Sequence, residues 1–414
     1  MKKKKLNSLG VITLAALLSV AAVGCSNAPS DNVNASATTT TQTATAATST
    51  SSSSTTPKST ATSSVPNKSD LFSDRDLAQS ADLAAATSMK LVSNQDVTLS
   101  KEGIYVLSGE VDNVTVVVDA PEDAKVQIVL DGVSINNEDS PAIYVKAADK
   151  VFVTSTSSKN HMEVSGSYVA DGDTNLDAVI FSRADLTLNG TGSLDIVSKA
   201  GNGISSKDDL KITGGVYTIQ SSADAIEAND AILINDGTIT IDSGKDALHS
   251  ENDEDASRGY VYIEGGTLTI KAADDAIRGN SFVQIDGGII NIETSEEGIE
   301  ANAIRINDGQ ITLYANDDGI NASAKVNADV VIEVNGGTIN VKMASGDTDA
   351  FDSNGNLYIN GGTINVEAVS AFDADGIAQL NGGNVTVNGE KITQITPSRG
   401  GGGRGGAGGG KGMR

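Results

Sequence analysis

The feature that most limits how this chain can fold is a glycine-punctuated repeat. Short alternating segments run into a Gly-Gly or Asp-Gly pair at Gly214-Gly215, Asp236-Gly237, Gly265-Gly266, Gly287-Gly288, Asp308-Gly309, Gly336-Gly337, Gly361-Gly362 and Gly382-Gly383. Successive final glycines lie 22, 29, 22, 21, 28, 25 and 21 residues apart, within the range of solenoids. In Tyr262-Ile263-Glu264-Gly265-Gly266-Thr267-Leu268-Thr269-Ile270, apolar side chains fall at every second position on both sides of the glycines, as in half-buried strands. Glycine suits the turn because a positive φ is costly for any residue with a Cβ. Asp-Gly and Asn-Gly also favour hairpins. The regular step, the β-branched core positions and the lack of tryptophan fit parallel stacking better than hairpins or propeller blades. The expectation is an all-β fold, a parallel β-helix of about twelve coils stacked at about 4.8 Å, roughly 60 Å long. The longer steps are insertions, such as Glu251 to Arg258. The register extends upstream through Gly103–Gly109 and Gln127–Gly132, and Leu71 to Lys90 is expected to cap the first open coil, since free strand edges must be covered.

The two ends differ from this body. Met1 and four lysines, Lys2 to Lys5, precede an apolar run from Leu14 to Val23 that ends at Ala22-Val23-Gly24-Cys25. That is the layout of an export signal, too short to persist as a membrane span, with Cys25 as the expected lipidation site. Cys25 is the single cysteine, so no intramolecular disulfide can form and a repetitive core or bound metal must stabilise the exported protein. The boundaries that follow are a lipoprotein signal peptide at 1–24, a Ser/Thr-rich disordered tether at 25–70, a β-helix domain at 71–396 and a Gly/Arg-rich flexible tail at 397–414. The expected location is extracellular, lipid-anchored to the outer face of the cell membrane. The chain carries a net charge of −25. Without Lys2 to Lys5 this becomes −29, and without the tail residues Arg399, Arg404, Lys411 and Arg414 it becomes −33. A body of that sign excludes nucleic acid as its partner and makes calcium a natural counter-ion.

Most units follow their second strand with an acid, a small residue and an aliphatic or aromatic one: Asp177-Ala178-Val179, Asp224-Ala225-Ile226, Asp246-Ala247-Leu248, Asp275-Ala276-Ile277, Glu297-Gly298-Ile299, Asp318-Gly319-Ile320 and Asp349-Ala350-Phe351. Gly203-Ile204 keeps the turn without the acid. The apolar residue points inward and the small one lets the coil bend. The carboxylates would stand about 5 Å apart, repelling by about 0.8 kcal/mol in water and about 3 kcal/mol at an effective dielectric of about 20. Bonds from the N–H groups of each acid's own turn, raised pKa values or cations must offset this. Extra acids crowd the same turns. Asp171, Asp173, Asn175 and Asp177 alternate around Gly172 like the front of a calcium loop, without its distal glutamate. Glu251, Asp253 and Asp255 lie in the insertion, Asp347, Asp349 and Asp352 form another group, and Asp373 and Asp375 a last one. With two histidines in the chain, all-oxygen chemistry selects calcium over zinc.

These blocks, with Phe72-Ser73-Asp74-Arg75-Asp76-Leu77, Tyr105-Val106-Leu107-Ser108-Gly109 and Asp352-Ser353-Asn354-Gly355-Asn356, resemble the carbohydrate-binding β-helix family of surface lipoproteins in anaerobic Gram-positive bacteria. The resemblance covers about Leu71 to Ile395. It implies a right-handed, single-stranded parallel β-helix shaped like pectate lyases, with bound calcium and affinity for cellulose and acidic sugars.

Three functions fit: calcium-assisted carbohydrate binding, a calcium-dependent polysaccharide lyase, and a passive cell-wall spacer or adhesin. A lyase needs acids to hold calcium and an Arg or Lys as base. Asp275, Arg278, Glu300 and Arg305, with Asp274, are the set that adjacent coils would bring together, and the same residues are the candidate sugar contacts. Without a further basic cluster, binding is the preferred function, with a plant-type or acidic polysaccharide as partner. The protein is expected to be a monomer. Flat crystalline cellulose is disfavoured, because sugar platforms usually present aromatic faces and this chain has no Trp, eight Tyr and six Phe.

Overall fold

The computed structural model describes residues 68–396 apart from Asp347. The signal segment, Cys25, nearly all of the tether, the tail and Asp347 lie outside the described residues. The body is a parallel β-helix of about 12 turns. Each coil contributes one strand to each of three parallel sheets, here called the acid, strap and threonine faces. The acid face stacks short strands such as Ile226–Ala228, Leu248–Ser250 and Ile320–Ala322. The strap face contains Lys150–Ser155 and Tyr260–Ile263, and the threonine face Thr267–Ala272 and Thr338–Met343.

In-register pairing produces three inward stacks of like residues. Ile204, Ile226, Leu248, Ile277, Ile299, Ile320 and Phe351 succeed one another on the acid face. Ile212, Ile234, Ile263, Ile285 and Ile306 do so on the strap face, and Ile219, Ile241, Ile270, Ile292 and Leu313 on the threonine face. All are almost fully buried, and each contributes about 1.5–3 kcal/mol. β-branched side chains suit such stacks because their stiff χ1 matches the pleat.

The glycine pairs serve two separate needs. The second glycine takes a positive φ, as at Gly337 (83°) and Gly362 (86°). The first allows coil-to-coil approach: a Cβ on Gly361 would stand 2.2 Å from the Asn335 carbonyl oxygen. Just before these pairs, Asn381, Asn360, Asn335 and Asn307 form a file in which each amide donates to the preceding side chain, ending on Asp286.

Besides an outward column that holds Asp242, Lys271, Tyr314, Lys342 and Glu367, the threonine face bears two further outward columns, two residues apart on each strand. One runs Thr238, Thr267, Ile289, Gln310, Thr338, Thr363 and Asn384; the other runs Thr240, Thr269, Asn291, Thr312, Asn340, Asn365 and Thr386.

The N-terminal segment matches the expected cap only in part: Leu83–Ala85 and Thr87–Lys90 lie against the strand Gly103–Asp112 of the first coil, whereas the residues before them do not. Residues 68–79 lie along the side of the helix. The Arg75 guanidinium covers the Phe152 ring at 4.4 Å, Lys211 Nζ donates to the Leu71 carbonyl at 2.7 Å, and Gln79 bonds Gly190 and Thr213. Leu71 joins Leu233, Tyr262 and Phe282 in an outer apolar cluster. Asp76 is the anchor: almost fully buried, it accepts from Lys150 at 2.7 Å and Thr187 at 2.6 Å, and caps its own helical turn through Ser73. Burial alone would raise its pKa, but Lys150, Thr187 and Ser73 hold it down at about 2. A side strap forms because the lateral face offers buried partners for a charge, which an open coil end of paired aliphatics does not. Replacing Asp76→Ala leaves Lys150 buried without its partner and is expected to cost about 3–5 kcal/mol. Urea denaturation should show this as a lowered midpoint, and trypsin should cut at Arg75 before it cuts the body.

Candidate functional site

The acid face combines a turn column with an outward strand column. In the turn column Asn202, Asp224, Asp246, Asp275, Glu297, Asp318 and Asp349 occupy equivalent positions, shown by the backbone bonds of the small residue that follows each one. The sequence expectation of acids bonding their own turns is replaced by bonding between coils. The N–H of Asp224 donates to Asn202 Oδ1 at 3.0 Å, that of Asp246 to Asp224 Oδ1 at 3.1 Å, and that of Asp275 to Asp246 Oδ1 at 2.9 Å. Farther along, the Asp349 N–H donates to Asp318 Oδ1 at 3.0 Å. Asn202 therefore fills the place of the missing acid before Gly203. Asp177 falls one residue out of this register, because Ile180, not Val179, pairs with Ile204.

The second carboxylate oxygens face the outward column, which reads Ser205, Glu227, His249, Arg278, Glu300, Asn321, Asp352 and Asp373 along the stack. His249 Nδ1 lies 3.1 Å from Asp224 Oδ2 and 3.4 Å from Asp246 Oδ2, while its Nε2 lies 3.2 Å from Glu251 Oε2. The Arg278 guanidinium is 3.7 Å from each of Asp246, Asp275 and Glu300, and Lys325 reaches Glu300 at 2.6 Å. Three acid groupings follow in succession, each offering ligand atoms within 4.8 Å of one another: Asp224, Asp246 and His249; Asp246, Asp274 and Asp275; Asp275, Glu297 and Glu300. Asp208, Asp209 and Asp230 make a fourth, separate grouping, where Arg258 pairs with Asp230.

Crowding shows in the ionisation of the file. Burial, followed by Asp246, Glu297 and Glu300, pushes Asp275 far above the carboxylate range. Burial and Glu300 raise Glu297 to about 8. Burial and four neighbouring aspartates raise Asp352 to about 7. Burial lowers the pKa of His249, but its bond to Asp224 and the charges of Asp246 and Asp224 raise it more. Asn321 adds an acceptor: its Nδ2 donates to Glu297 Oε2 at 3.0 Å, while its buried Oδ1 has no protein partner.

The expected residues divide as follows. Asp275, Arg278 and Glu300 come together as anticipated from their spacing. Arg305 does not join them: the chain turns the corner after Ala301, and Arg305 lies on the strap face with its Nε 2.9 Å from Glu333 Oε2. Asp349, Asp352 and Asp373 extend the file, with Asp375 close enough to act on Asp352. Glu251 and Asp253 line a cleft of about 530 Å³ beside His249, with Lys207, Glu227 and Asp230. Asp255 is turned away, accepting from Ser257 and lying 3.6 Å from Arg258. The loop at Asp171, Asp173, Asn175 and Asp177 does not converge. Asp171 pairs with Lys146 at 2.6 Å and closes a tight turn with Thr174, Asp173 is exposed, Asn175 donates to Asp177, and Asp177 faces Glu227. His249, Asn202, Asn321 and Lys325 were missed. Aligning the small turn residues one by one would have exposed Asn202, whereas the other three become neighbours of the acids only through strand register.

A sequence profile of proteins described as carbohydrate-binding domain-containing protein matches residues 93–350. The chain belongs to this carbohydrate-binding domain-containing family. A curated relative from Acetivibrio thermocellus with the same description is 35% identical over 127 residues, 30% of this chain and 44% of the relative. The match thus spans under half of that relative's length. A solved structure described as the polysaccharide lyase-like protein from C. thermocellum, a gadolinium derivative, is 27% identical and covers 64% of this chain and 98% of its own, with a TM-score of 0.45.

Carboxylates whose pKa is raised on folding bind more protons folded than unfolded, so their contribution to stability is lost as pH rises toward the folded pKa. Stability without added metal is therefore expected to fall between pH 5 and pH 8, the window set by Glu297 and Asp352. At pH 8, Glu297→Gln should recover on the order of 2 kcal/mol. Thermal melts in chelator at the two pH values, wild type beside variant, measure both effects.

Proposed function

We propose that the acid face holds calcium and, through it, binds the carboxylates of an acidic polysaccharide. The observation that carries this reading is the division of labour seen at Asp224 and Asp246: one oxygen bonds the next coil, and the other is turned toward the outward column, the side on which Asp275 Oδ2 also faces Arg278. Asp275, Glu297, Glu300 and the orphan Asn321 oxygen form an all-oxygen donor set of the kind calcium takes. Asp318, Asp352 and Asp373 continue the same chemistry toward the C-terminal coils. A bound calcium supplies positive charge that a uronate carboxylate can share, and so removes the repulsion a strongly acidic body would exert on an anionic chain.

The residues of the face are suited to holding rather than to proton transfer. Arg278 would be the base of a lyase, yet it is flanked by acids. Burial works to lower its pKa, but Asp246, Glu300 and Asp275 raise it above the ordinary guanidinium value, which opposes deprotonation. The guanidinium instead presents a fixed cation beside the file, fit to orient a sugar carboxylate. With Cys25 as the proposed lipid attachment point, the body would display this face outside the membrane.

Retention on immobilised polygalacturonate should require calcium and fall at least ten-fold in chelator. Asp275→Asn combined with Glu297→Gln should lower it by a similar factor at saturating calcium. Equal retention with and without calcium overturns the mechanism, and unsaturated sugar ends appearing on incubation would replace it with a lyase.

A further inference from the structure

His249 is one of two histidines in the chain, and it stands between Glu227 and Arg278 in the outward column of the acid face. Both of its ring nitrogens meet carboxylates. Nδ1 lies 3.1 Å from Asp224 Oδ2 and 3.4 Å from Asp246 Oδ2, and Nε2 lies 3.2 Å from Glu251 Oε2. Asp246 is only 3% exposed. Its Oδ1 accepts the Asp275 N–H. Its Oδ2 has only ionic neighbours among the described residues, His249 Nδ1 at 3.4 Å and Arg278 Nη1 at 3.7 Å, both beyond ordinary hydrogen-bond length. A buried carboxylate oxygen so placed calls for a cation.

The three atoms have the spacing of ligands around a small tetrahedral ion. Ligands about 2.0–2.1 Å from a zinc stand roughly 3.3–3.4 Å apart, and the two N···O separations here are 3.1 and 3.4 Å. Neighbouring groups hold the set in place. Each aspartate has its Oδ1 tied to the N–H of the next coil, which leaves Oδ2 as a single ligand atom, whereas calcium gathers many oxygens and often takes a carboxylate by both. With the ring proton on Nε2, Glu251 accepts it and Nδ1 turns its lone pair toward the two aspartates. This is the carboxylate–histidine pairing that orients a metal-binding imidazole. His249 also walls the cleft of about 530 Å³ together with Glu227, Asp230 and Glu251. The cleft gives an ion a route from solvent and leaves room for water as a fourth ligand.

We infer that Asp224, Asp246 and His249 form a site for a zinc-class divalent transition metal, with Glu251 as the positioning residue of the imidazole. The nitrogen separates this set from the all-oxygen set of Asp275, Glu297, Glu300 and Asn321, because imidazole suits zinc and its neighbours while calcium takes oxygen. Arg278 stands between the two sets, 3.7 Å from Asp246 on one side and from Asp275 and Glu300 on the other. The ion joins the coil of Asp224 to the coil that carries Asp246 and His249. It thereby supplies a crosslink between coils in a chain whose single cysteine rules out an internal disulfide. None of the three ligands belongs to the calcium donor set, so this site and the calcium reading stand or fall separately.

The test is calorimetric titration of the untagged full-length chain with zinc, in buffer holding a large excess of calcium. One equivalent per chain is expected to bind and to raise the melting temperature, and cobalt in its place should show the visible absorption of a tetrahedral ion. Glu251→Gln should weaken zinc by about ten-fold. His249→Gln keeps a polar outward side chain but removes the nitrogen, and should weaken zinc further. His161→Gln replaces the other histidine, which lies 2.7 Å from Asp195, and should bind zinc as the wild type does. Melts in chelator show whether each variant folds, and Glu251→Gln carries the test if His249→Gln does not. Absence of zinc binding by the wild type, displacement of zinc by the calcium, or equal affinity in the wild type and the variants at positions 249 and 251 overturns the inference.

Discussion

Parallel stacking in register places each residue directly over its counterpart in the previous coil, at a separation set by the backbone hydrogen bonds rather than by the side chains. Everything else in this molecule answers to that spacing. Aliphatic side chains accept it readily, and three inward stacks form the core. Carboxylates do not accept it, because unit charges held about 5 Å apart repel. The acid face shows how the repulsion is met. One oxygen of an aspartate takes the N–H of the next coil, which converts a charge conflict into a coil-to-coil bond. Arg278 enters the outward column as a built-in cation, His249 takes the place before it between Asp224 and Asp246, and Lys325 reaches Glu300 from outside the column. The remaining crowding is expressed as raised pKa values, most strongly at Asp275 and Glu297.

Function follows from which side chains the register stacks. A file of acids with oxygens turned outward groups atoms that could hold cations. Columns of Thr and Asn beside a column that holds Asp242, Lys271, Lys342 and Glu367 make a polar face. The same rod presents both, separated by the corners at which the Gly pairs and the small turn residues let the chain change direction. The strap face has a third use: its buried Lys150, Thr187 and Lys211 dock the N-terminal segment, so the segment that leads into the domain is fastened to the side of the helix and not to its end.

The core and the coil step were legible in the sequence, because alternation with period two and a positive-φ glycine at each turn are local requirements. The acid of each turn was legible for the same reason at Asp224, Asp246, Asp275, Glu297, Asp318 and Asp349. Errors arose where a position had to be assigned across coils. Asp177 matched the local pattern but stands one residue out of register. Arg305 lies five residues after Glu300, and a corner intervenes. Asp171 and its neighbours matched the front of a calcium loop, yet Lys146, distant in sequence, draws Asp171 aside.

The sequence by itself determined that the chain is a solenoid with about a 22-residue step, that its interior is aliphatic, and that its turns are acidic. These follow from periodicity, which each unit states independently. Only the tertiary structure decided which oxygens bond the next coil, which cations enter the acid file, which residues share a face, and where the N-terminal segment docks. Those depend on register and on corner geometry. Register is a relation between units, and no single unit carries it.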